Sequence, residues 1–216
     1  MAEGEISPDS NARYNLQEAE KYGVKLGVYF FSTAISKEEA VEEADWTADF
    51  IAQYPITYPV VYDCEGFTDT ESRQYGMSKT ERTDIALAFL KRIEQRGYEG
   101  MFYAAKNEIQ DETLWETSRI EKHYKIWVAQ FPGDADPTVH TSSYAGGHQM
   151  WQYTMEGSVP GISQKVDMDV AYFGYDGVEK PKDETPRSEA FPDVEALMDG
   201  YDYCVYSDVG YDENAT

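Results

Sequence analysis

The sequence is poor in the residues that build disulfide frameworks and metal sites. Its 216 residues include only two cysteines, and Cys64 lies in an apolar stretch whereas Cys204 lies in a polar one. Two such cysteines do not make a disulfide framework. The three histidines, His123, His140 and His148, lack the spacing of zinc ligands. The sequence therefore predicts neither a disulfide-stapled domain nor a zinc protein.

Basic residues are also scarce, with 18 Lys and Arg against 41 Asp and Glu and a net charge of −23. Sequence-independent binding to nucleic acid and binding to an anionic membrane surface both need basic groups, so both are disfavoured. No run of 18 apolar residues occurs, so we expect no membrane insertion. The first ten residues, MAEGEISPDS, are acidic and polar, unlike a signal peptide. An acidic protein can still act on a neutral or mixed-charge polymer.

Aromatic residues are abundant, since 18 Tyr, 9 Phe and 4 Trp make up 14% of the chain. With 41% hydrophobic residues overall, a packed core is feasible. Aromatic rings line sugar-binding grooves, but they also fill ordinary cores and surfaces. Composition alone favours the second interpretation.

Short apolar runs alternate with helical patterns through the first half of the chain. Six strands are predicted, at 24–31, 59–63, 100–105, 125–131, 148–154 and 166–173. Two helices, at 36–54 and 78–97, each open with a Ser-x-x-Glu capping box, and a weaker helix covers 107–121. Helices separate the first strands but not the last ones. The pattern therefore predicts an α/β fold whose sheet is parallel at first and then antiparallel or mixed.

Residues 58–67, YPVVYDCEGF, form an apolar strand that ends in two acids. Residues two apart in a strand share a face, so Asp63 and Glu65 project together at the carboxyl end, where parallel barrels and open sheets build their sites. A neighbouring acid and partial burial raise a carboxyl pKa, and a Glu that stays protonated can be the general acid of glycoside hydrolysis. Alternatively, both acids are only solvated residues of a surface loop. Both interpretations stay open on this motif alone.

A second strand, VDMDVAYF over residues 166–173, carries Asp167 and Asp169 at the same spacing. Acids inside an apolar strand are costly unless they face water or a site. Two such strands in one sheet indicate a common mouth lined by carboxylates. We therefore expect Asp63, Glu65 and Asp167 to converge at one end of the sheet.

Five segments, taken in order, resemble one known family. LGVYFFS, YPVVYDCEG, KIWVAQF, MWQYT and GSVPGISQKVDMDVAYF resemble the family 25 glycoside hydrolases, which are lysozymes of the N-acetylmuramidase type from bacteria and their phages. The resemblance covers about residues 9–174, and it is the combination of segments that is specific. It implies a TIM-like (β/α) barrel of eight strands, with helices around the first part and mostly β structure in the last part.

The resemblance also implies a reaction and the residues that perform it. The family cleaves the β-1,4 bond between N-acetylmuramic acid and N-acetylglucosamine in the glycan strands of peptidoglycan, extracellularly or in the cell wall, and no metal or organic cofactor is implied. By motif, Glu65 would be the general acid, and Asp63 beside it would tune its proton. Asp167 would match the acid of the last strand. Asp169 stands where the family often has Asn, so its role is undefined.

Sugars stack their apolar faces on aromatic rings, and several rings are candidates for a sugar groove. We expect Tyr29, Tyr103 and Trp151 to bind the glycan strand. Trp127 is expected to lie partly in the hydrophobic core and partly at the rim of the groove. Within the strand at 148–154, Trp151 and Tyr153 should face one way and their neighbours the other.

The sequence departs from the family at its start. The family begins with a strand that carries an active-site Asp, then a second strand, and neither is found before the strand at 24–31. We therefore expect an incomplete, N-terminally truncated barrel over residues 1–177, an unpaired edge on its first strand, and weak or absent lysis. Two other functions stay open: a non-catalytic remnant that binds cell-wall glycan, and an unrelated acidic α/β domain.

The composition changes after Gly177. Residues 178–216 contain eleven acids, three bases and several prolines. This composition is typical of a solvated acidic linker and tail. The tyrosines clustered after residue 200 also fit the start of another module.

Overall fold

The computed structural model describes residues 6–133, 135–137 and 140–174, together with the backbone of residues 204–208. The helices are α1 Ala12–Lys21, α2 Lys37–Ile51, α3 Lys79–Gln95, α4 Lys106–Ile109 and α5 Thr117–Glu121. The strands are β1 Lys25–Phe31, β2 Ile56–Asp63, β3 Gly100–Ala105, β4 Lys125–Ala129, β5 Met150–Gly157, β6 Val166–Ala171 and β7 Cys204–Asp208. In this described part of the chain, no helix is both long and apolar enough to cross a membrane.

The seven strands lie in one sheet in the order β6-β5-β4-β3-β2-β1-β7. Every neighbouring pair is parallel except β5 and β6, which are antiparallel. Strands β1 to β6 curl into a half-barrel. The six predicted strands, the incomplete barrel and the change from a parallel to a mixed sheet are confirmed.

The expectation of an unpaired edge on β1 is wrong. β7 pairs with β1 in parallel, from Lys25 opposite Cys204 to Tyr29 opposite Asp208. A free edge presents a row of N–H and C=O groups, and a strand from the same chain can satisfy them. β7 lies within the predicted tail at 178–216, whose other residues are outside the described part, so the interpretation of that tail as linker or module stays a prediction.

The outer face of the sheet, meaning the face covered by α2 and α3, carries the main core. Phe30 of β1 and Tyr62 of β2 pack against Phe89 of α3, with ring centroids 5.8 and 5.2 Å apart respectively. All three rings are at most 2% exposed. Burying side chains of this size is the largest favourable contribution to folding. This core holds the carboxyl ends of β1 and β2 in place.

The helices begin where the serine motifs predict. The capping box of α3 is complete, because Ser78 Oγ accepts from the Glu81 N–H at 3.3 Å and Glu81 Oε2 accepts from the Ser78 N–H at 3.0 Å. In α2 only half of the box forms. Ser36 Oγ accepts from the Glu39 N–H at 3.2 Å, whereas the Glu39 carboxylate pairs with Arg73 at 3.1 Å. The Glu39 carboxylate also accepts from the Ile35 N–H at 3.0 Å, one residue before the Ser36 cap.

The helix predicted over 107–121 is not continuous. α4 and α5 are separated by a turn in which Asp111 and Glu112 have φ values of 57° and 53°. These left-handed angles are unusual for residues with a Cβ. Lys79 Nζ donates to the Glu112 carbonyl at 2.9 Å, and the Thr113 hydroxyl donates to the Gln110 carbonyl at 2.7 Å. These bonds stabilise a bend that the helical pattern alone does not reveal.

Candidate active site

β2 brings two acids to the carboxyl edge of the sheet. Asp63 ends the strand on the inner face, meaning the face opposite the helices, and is 7% exposed. Cys64 is fully buried, its thiol donates to Gln74 Oε1 at 3.2 Å, and burial raises the thiol pKa far above its usual value. The thiol is therefore not a nucleophile. Glu65 lies just beyond the strand and is exposed at the mouth of the sheet.

β6 brings Asp167 and Asp169 to the same region through bonds with the neighbouring strands. Gln152 of β5 donates from Nε2 to Asp167 Oδ2 at 3.3 Å. Trp127 of β4 donates from Nε1 to Asp169 Oδ1 at 2.8 Å. The Tyr103 hydroxyl of β3 donates to Gln152 Oε1 at 2.8 Å. Hydrogen bonds therefore connect side chains from β3 to β6 across the inner face.

The Tyr103 hydroxyl is exposed to the charges of four carboxyl groups. Desolvation raises its pKa, and the negative charges of Glu65, Asp63, Asp169 and Asp167 raise it further. The hydroxyl therefore stays protonated as a hydrogen-bond donor. The charges of the acids that the i, i+2 spacing predicted to converge therefore act on one hydroxyl of the inner face, and their convergence at one end of the sheet stays a prediction. We call these four acids the acid cluster.

Three carboxyl groups of the acid cluster have raised pKa values. Desolvation and then the charge of Asp167 raise the pKa of Glu65, and desolvation raises the pKa of Asp167. The pKa of Asp169 is also raised, by desolvation and by Asp167, although the bond from Trp127 opposes the shift and the side chain keeps contact with solvent. At least one carboxyl of the cluster can therefore carry a proton at a pH where an isolated carboxyl is ionised.

Two residues at this site were missed in the sequence. Glu108 lies in α4, directly after β3; burial raises its pKa, and the charge of Glu65 adds to the shift. Its Oε2 atom is buried without a hydrogen-bond partner among the described residues. The available signal was an acid three residues after a predicted strand. Gln152, the link between Tyr103 and Asp167, was assigned to a strand face but given no function.

The three predicted groove rings are not in one place. Tyr29 and Tyr103 belong to the inner face, and Tyr103 packs edge-on against Trp127 with ring centroids 5.1 Å apart. Trp151 is fully buried in the outer core, where its Nε1 donates to the Gln130 carbonyl at 2.9 Å. The pairing of β5 with β4 turns Gln152, rather than Trp151, to the inner face. The structure therefore places Trp151 away from the predicted groove.

A cavity of about 580 Å³ opens at the carboxyl ends of β3 and β4. Its wall includes Ala105 and Ala129, which are paired across the two strands, and Ala129 is in turn paired with Gln152. The acids of the cluster do not line this cavity, which is linked to them through Gln152 and its bond to Asp167. Within the described ranges, no group of three or more His, Cys, Asp and Glu side chains is arranged to hold a metal ion.

Comparison with known proteins identifies the family and the fold. Residues 1–162 match the family described as glycosyl hydrolases family 25. The fold is similar to the modular autolysin LytC of Streptococcus pneumoniae, with 24% identity, a TM-score of 0.61, and coverage of 74% of this chain and 37% of that chain. It is also similar to the spore cortex lytic enzyme SleM of Clostridium perfringens, with 21% identity, a TM-score of 0.60, and coverage of 76% and 54% respectively.

A third similar structure is the bacterial lysozyme from Streptomyces coelicolor, with 21% identity, a TM-score of 0.57, and coverage of 77% of this chain and 76% of that chain. At such identities, these likenesses show the fold alone. The chain spans less than two thirds of the length of the autolysin and of the spore enzyme. No curated protein sequence matches the chain.

Proposed function

Because the chain belongs to glycosyl hydrolase family 25, we propose that it hydrolyses peptidoglycan by cleaving the β-1,4 bond between N-acetylmuramic acid and N-acetylglucosamine, in the cell wall or outside the cell. The position of Glu65 carries the proposal. Glu65 reaches solvent at the carboxyl edge of the sheet, and partial desolvation of its carboxyl together with the charge of Asp167 raises its pKa. Such a carboxyl can donate a proton to the oxygen of a leaving sugar.

Each acid has a distinct role in this proposal. Glu65 is the general acid, and its proton passes to the glycosidic oxygen as the bond to the sugar ring breaks. Asp63, nearly buried beside it, stabilises the positive charge that develops on the ring. Asp167 is oriented by Gln152, and its charge keeps the proton on Glu65. Tyr29 and Tyr103 offer rings to the sugars on the inner face.

The test compares the wild-type chain with Glu65→Gln on purified cell walls. Loss of a general acid is expected to lower the rate by about 10²–10⁴-fold, measured as turbidity and as new reducing ends. Glu20→Gln, a change at an exposed residue of α1, is the matched control and should leave the rate unchanged. Reduction of the products with borohydride identifies the bond. The proposed cleavage leaves muramic acid at the new reducing ends, and borohydride converts these ends to muramitol. Wild-type rates in Glu65→Gln, or glucosaminitol ends, would refute the assignment.

A second candidate is a protein that binds cell-wall glycan without cleaving it. One observation favours it: the strand beside β1 is β7, from the tail, and not the acid-bearing first strand that the family resemblance implies. This candidate predicts that the wild-type chain sediments with insoluble walls while producing no new reducing ends. Hydrolysis that depends on Glu65 would exclude it.

A further inference from the structure

The cavity opens at the carboxyl ends of β3 and β4, which lie in the sheet between β2 and β6, the strands of the acid cluster. Ala129 in its wall is paired with Gln152, which holds Asp167. The small side chains of Ala105 and Ala129 leave space that larger residues would fill. The volume of about 580 Å³ is within the range of small-ligand sites. A glycan that lies over the acid cluster would therefore have a side pocket next to it.

The ammonium group of Lys106 lines this cavity. The Lys106 ammonium donates to Ser143 Oγ at 2.7 Å. Gln130, also in the wall, donates to the same oxygen from Nε2 at 2.9 Å and accepts from the Ser143 N–H at 2.9 Å. The ammonium makes the first of these bonds and the other two position Ser143, in a chain whose net charge is −23. Because an ammonium has three protons, Lys106 can bind a carboxylate while it keeps its bond to Ser143.

Two more residues define the chemistry of the cavity. Asp111, in the left-handed turn after α4, is the acid among the wall residues. Phe131 lines the wall, and 46% of its surface is exposed. A site with one cation, one anion and an apolar ring suits a ligand that has both charges and aliphatic carbon. A short peptide has these properties, whereas an unsubstituted sugar has no charge.

We propose that this cavity binds the amino-acid stem of the muramoyl residue, with Lys106 holding a stem carboxylate and Phe131 contacting its aliphatic carbons. The inference rests on the proposed function, because peptidoglycan is a polymer that presents a charged peptide beside the bond to be cut. Lys106 is then a determinant of substrate specificity, and the enzyme should prefer walls that keep their stems.

Binding, measured without turnover, tests the inference. The Glu65→Gln chain is titrated calorimetrically with a muropeptide disaccharide that bears a tetrapeptide stem and with the same disaccharide without the stem. Adding Lys106→Gln should weaken binding of the stem-bearing ligand about tenfold, since a charge-assisted hydrogen bond contributes at least about 1.4 kcal/mol. Binding of the stem-free ligand should not change. Lys106→Arg, which keeps the charge, should restore most of the affinity.

Lys122→Gln, at an exposed position after α5, is the matched control and should have no effect. Equal losses for both ligands would mean that Lys106 holds the lactyl carboxylate or the sugar, and would overturn the inference. No loss, or no binding of the stem-bearing ligand by the Glu65→Gln chain, would overturn it as well. A wild-type chain that binds in this way but never cuts walls would refute hydrolysis and leave the stem site standing.

Discussion

On the outer face of the sheet, Tyr62 and Phe102 are fully buried and stack with ring centroids 6.3 Å apart. One residue further along each strand, Asp63 and Tyr103 turn to the inner face, where Tyr103 donates to Gln152 and the charges of four carboxyl groups raise its pKa further after desolvation. A step of one residue thus separates a packed hydrocarbon layer from an acidic polar one. The comparison teaches that the same strands use their outer face for the packing that stabilises the fold and their inner face for the acidic groups of the candidate site.

The largest effect is expected from a cavity in the outer face. Phe102→Ala removes a fully buried ring that packs against Tyr62 and Trp115, so we expect the free energy of unfolding to fall by about 3–5 kcal/mol. Denaturant unfolding measures this loss, and Phe102→Leu should recover much of it. A loss below about 1 kcal/mol would mean that the outer face does not carry the stability.

Glu43 of α2 is the acidic exception on the outer side. It is 7% exposed, accepts from the Ser32 hydroxyl at 2.6 Å, and burial raises its pKa to about 8. The folded state therefore binds a proton that the unfolded state has released between about pH 4.5 and 8. Stability from this group is complete below that range and is lost as the pH rises through it, by at most about 1.4 kcal/mol per pH unit.

Glu43→Gln should remove this part of the pH dependence, because a neutral amide replaces the protonated acid. The measurement is the free energy of unfolding at several pH values from 5 to 8, for wild type and variant. Glu42→Gln, at the exposed neighbouring position, is the control and should keep the wild-type slope. Parallel curves for wild type and Glu43→Gln would show that Glu43 is ionised in the folded state.

A smaller loss of stability is expected on the inner face. Tyr103→Phe keeps the ring and removes the hydroxyl, which leaves Gln152 Oε1 without its donor, and we expect a loss of about 1–3 kcal/mol in unfolding free energy. Because Gln152 also holds Asp167, the hydrolytic rate should fall beyond what the lost stability explains. Tyr14→Phe, at a ring that is 52% exposed, should change neither quantity.

The smallest expected effect is a shift in pH dependence. The charge of Asp167 raises the pKa of Glu65, so Asp167→Asn should lower that pKa. If Glu65 acts as a general acid, activity falls as Glu65 loses its proton, and this alkaline limb should move to lower pH in the variant. The position of the limb in a profile of kcat/KM against pH is the quantity to measure. An unmoved limb would mean that another group controls it.

Local patterns carried the correct predictions. The apolar runs identify the strands because strands of a parallel sheet are buried on both faces, and Ser78 with Glu81 marks the start of α3 because capping is confined to one turn. The motif at Asp63 and Glu65 was visible for the same reason. The motif places both acids at the carboxyl end of β2, with Asp63 as its last residue and Glu65 just beyond it.

Features that depend on pairing between strands were not predictable in this way. Alternation correctly separated Trp151 from Gln152, but which of them turns inward depends on the register of β5 against β4. The pairing of β7 with β1 involves residues far apart in the chain, and no local signal reports it. Glu108 was missed because the sequence pattern assigned it to one helix over 107–121. In the structure this helix stops at Ile109, before the bend at Asp111.

The pairing of β7 with β1 has a consequence for synthesis on the ribosome. β1 ends at Phe31 and its partner begins at Cys204, so roughly 170 residues must be added between them. At about 5–20 residues per second, this takes about 10–35 s. For that time the edge of β1 stays available to other nascent chains on the same messenger, while the high negative charge keeps such chains apart. The pairing of β7 with β1 therefore forms late, although β1 is synthesised long before β7.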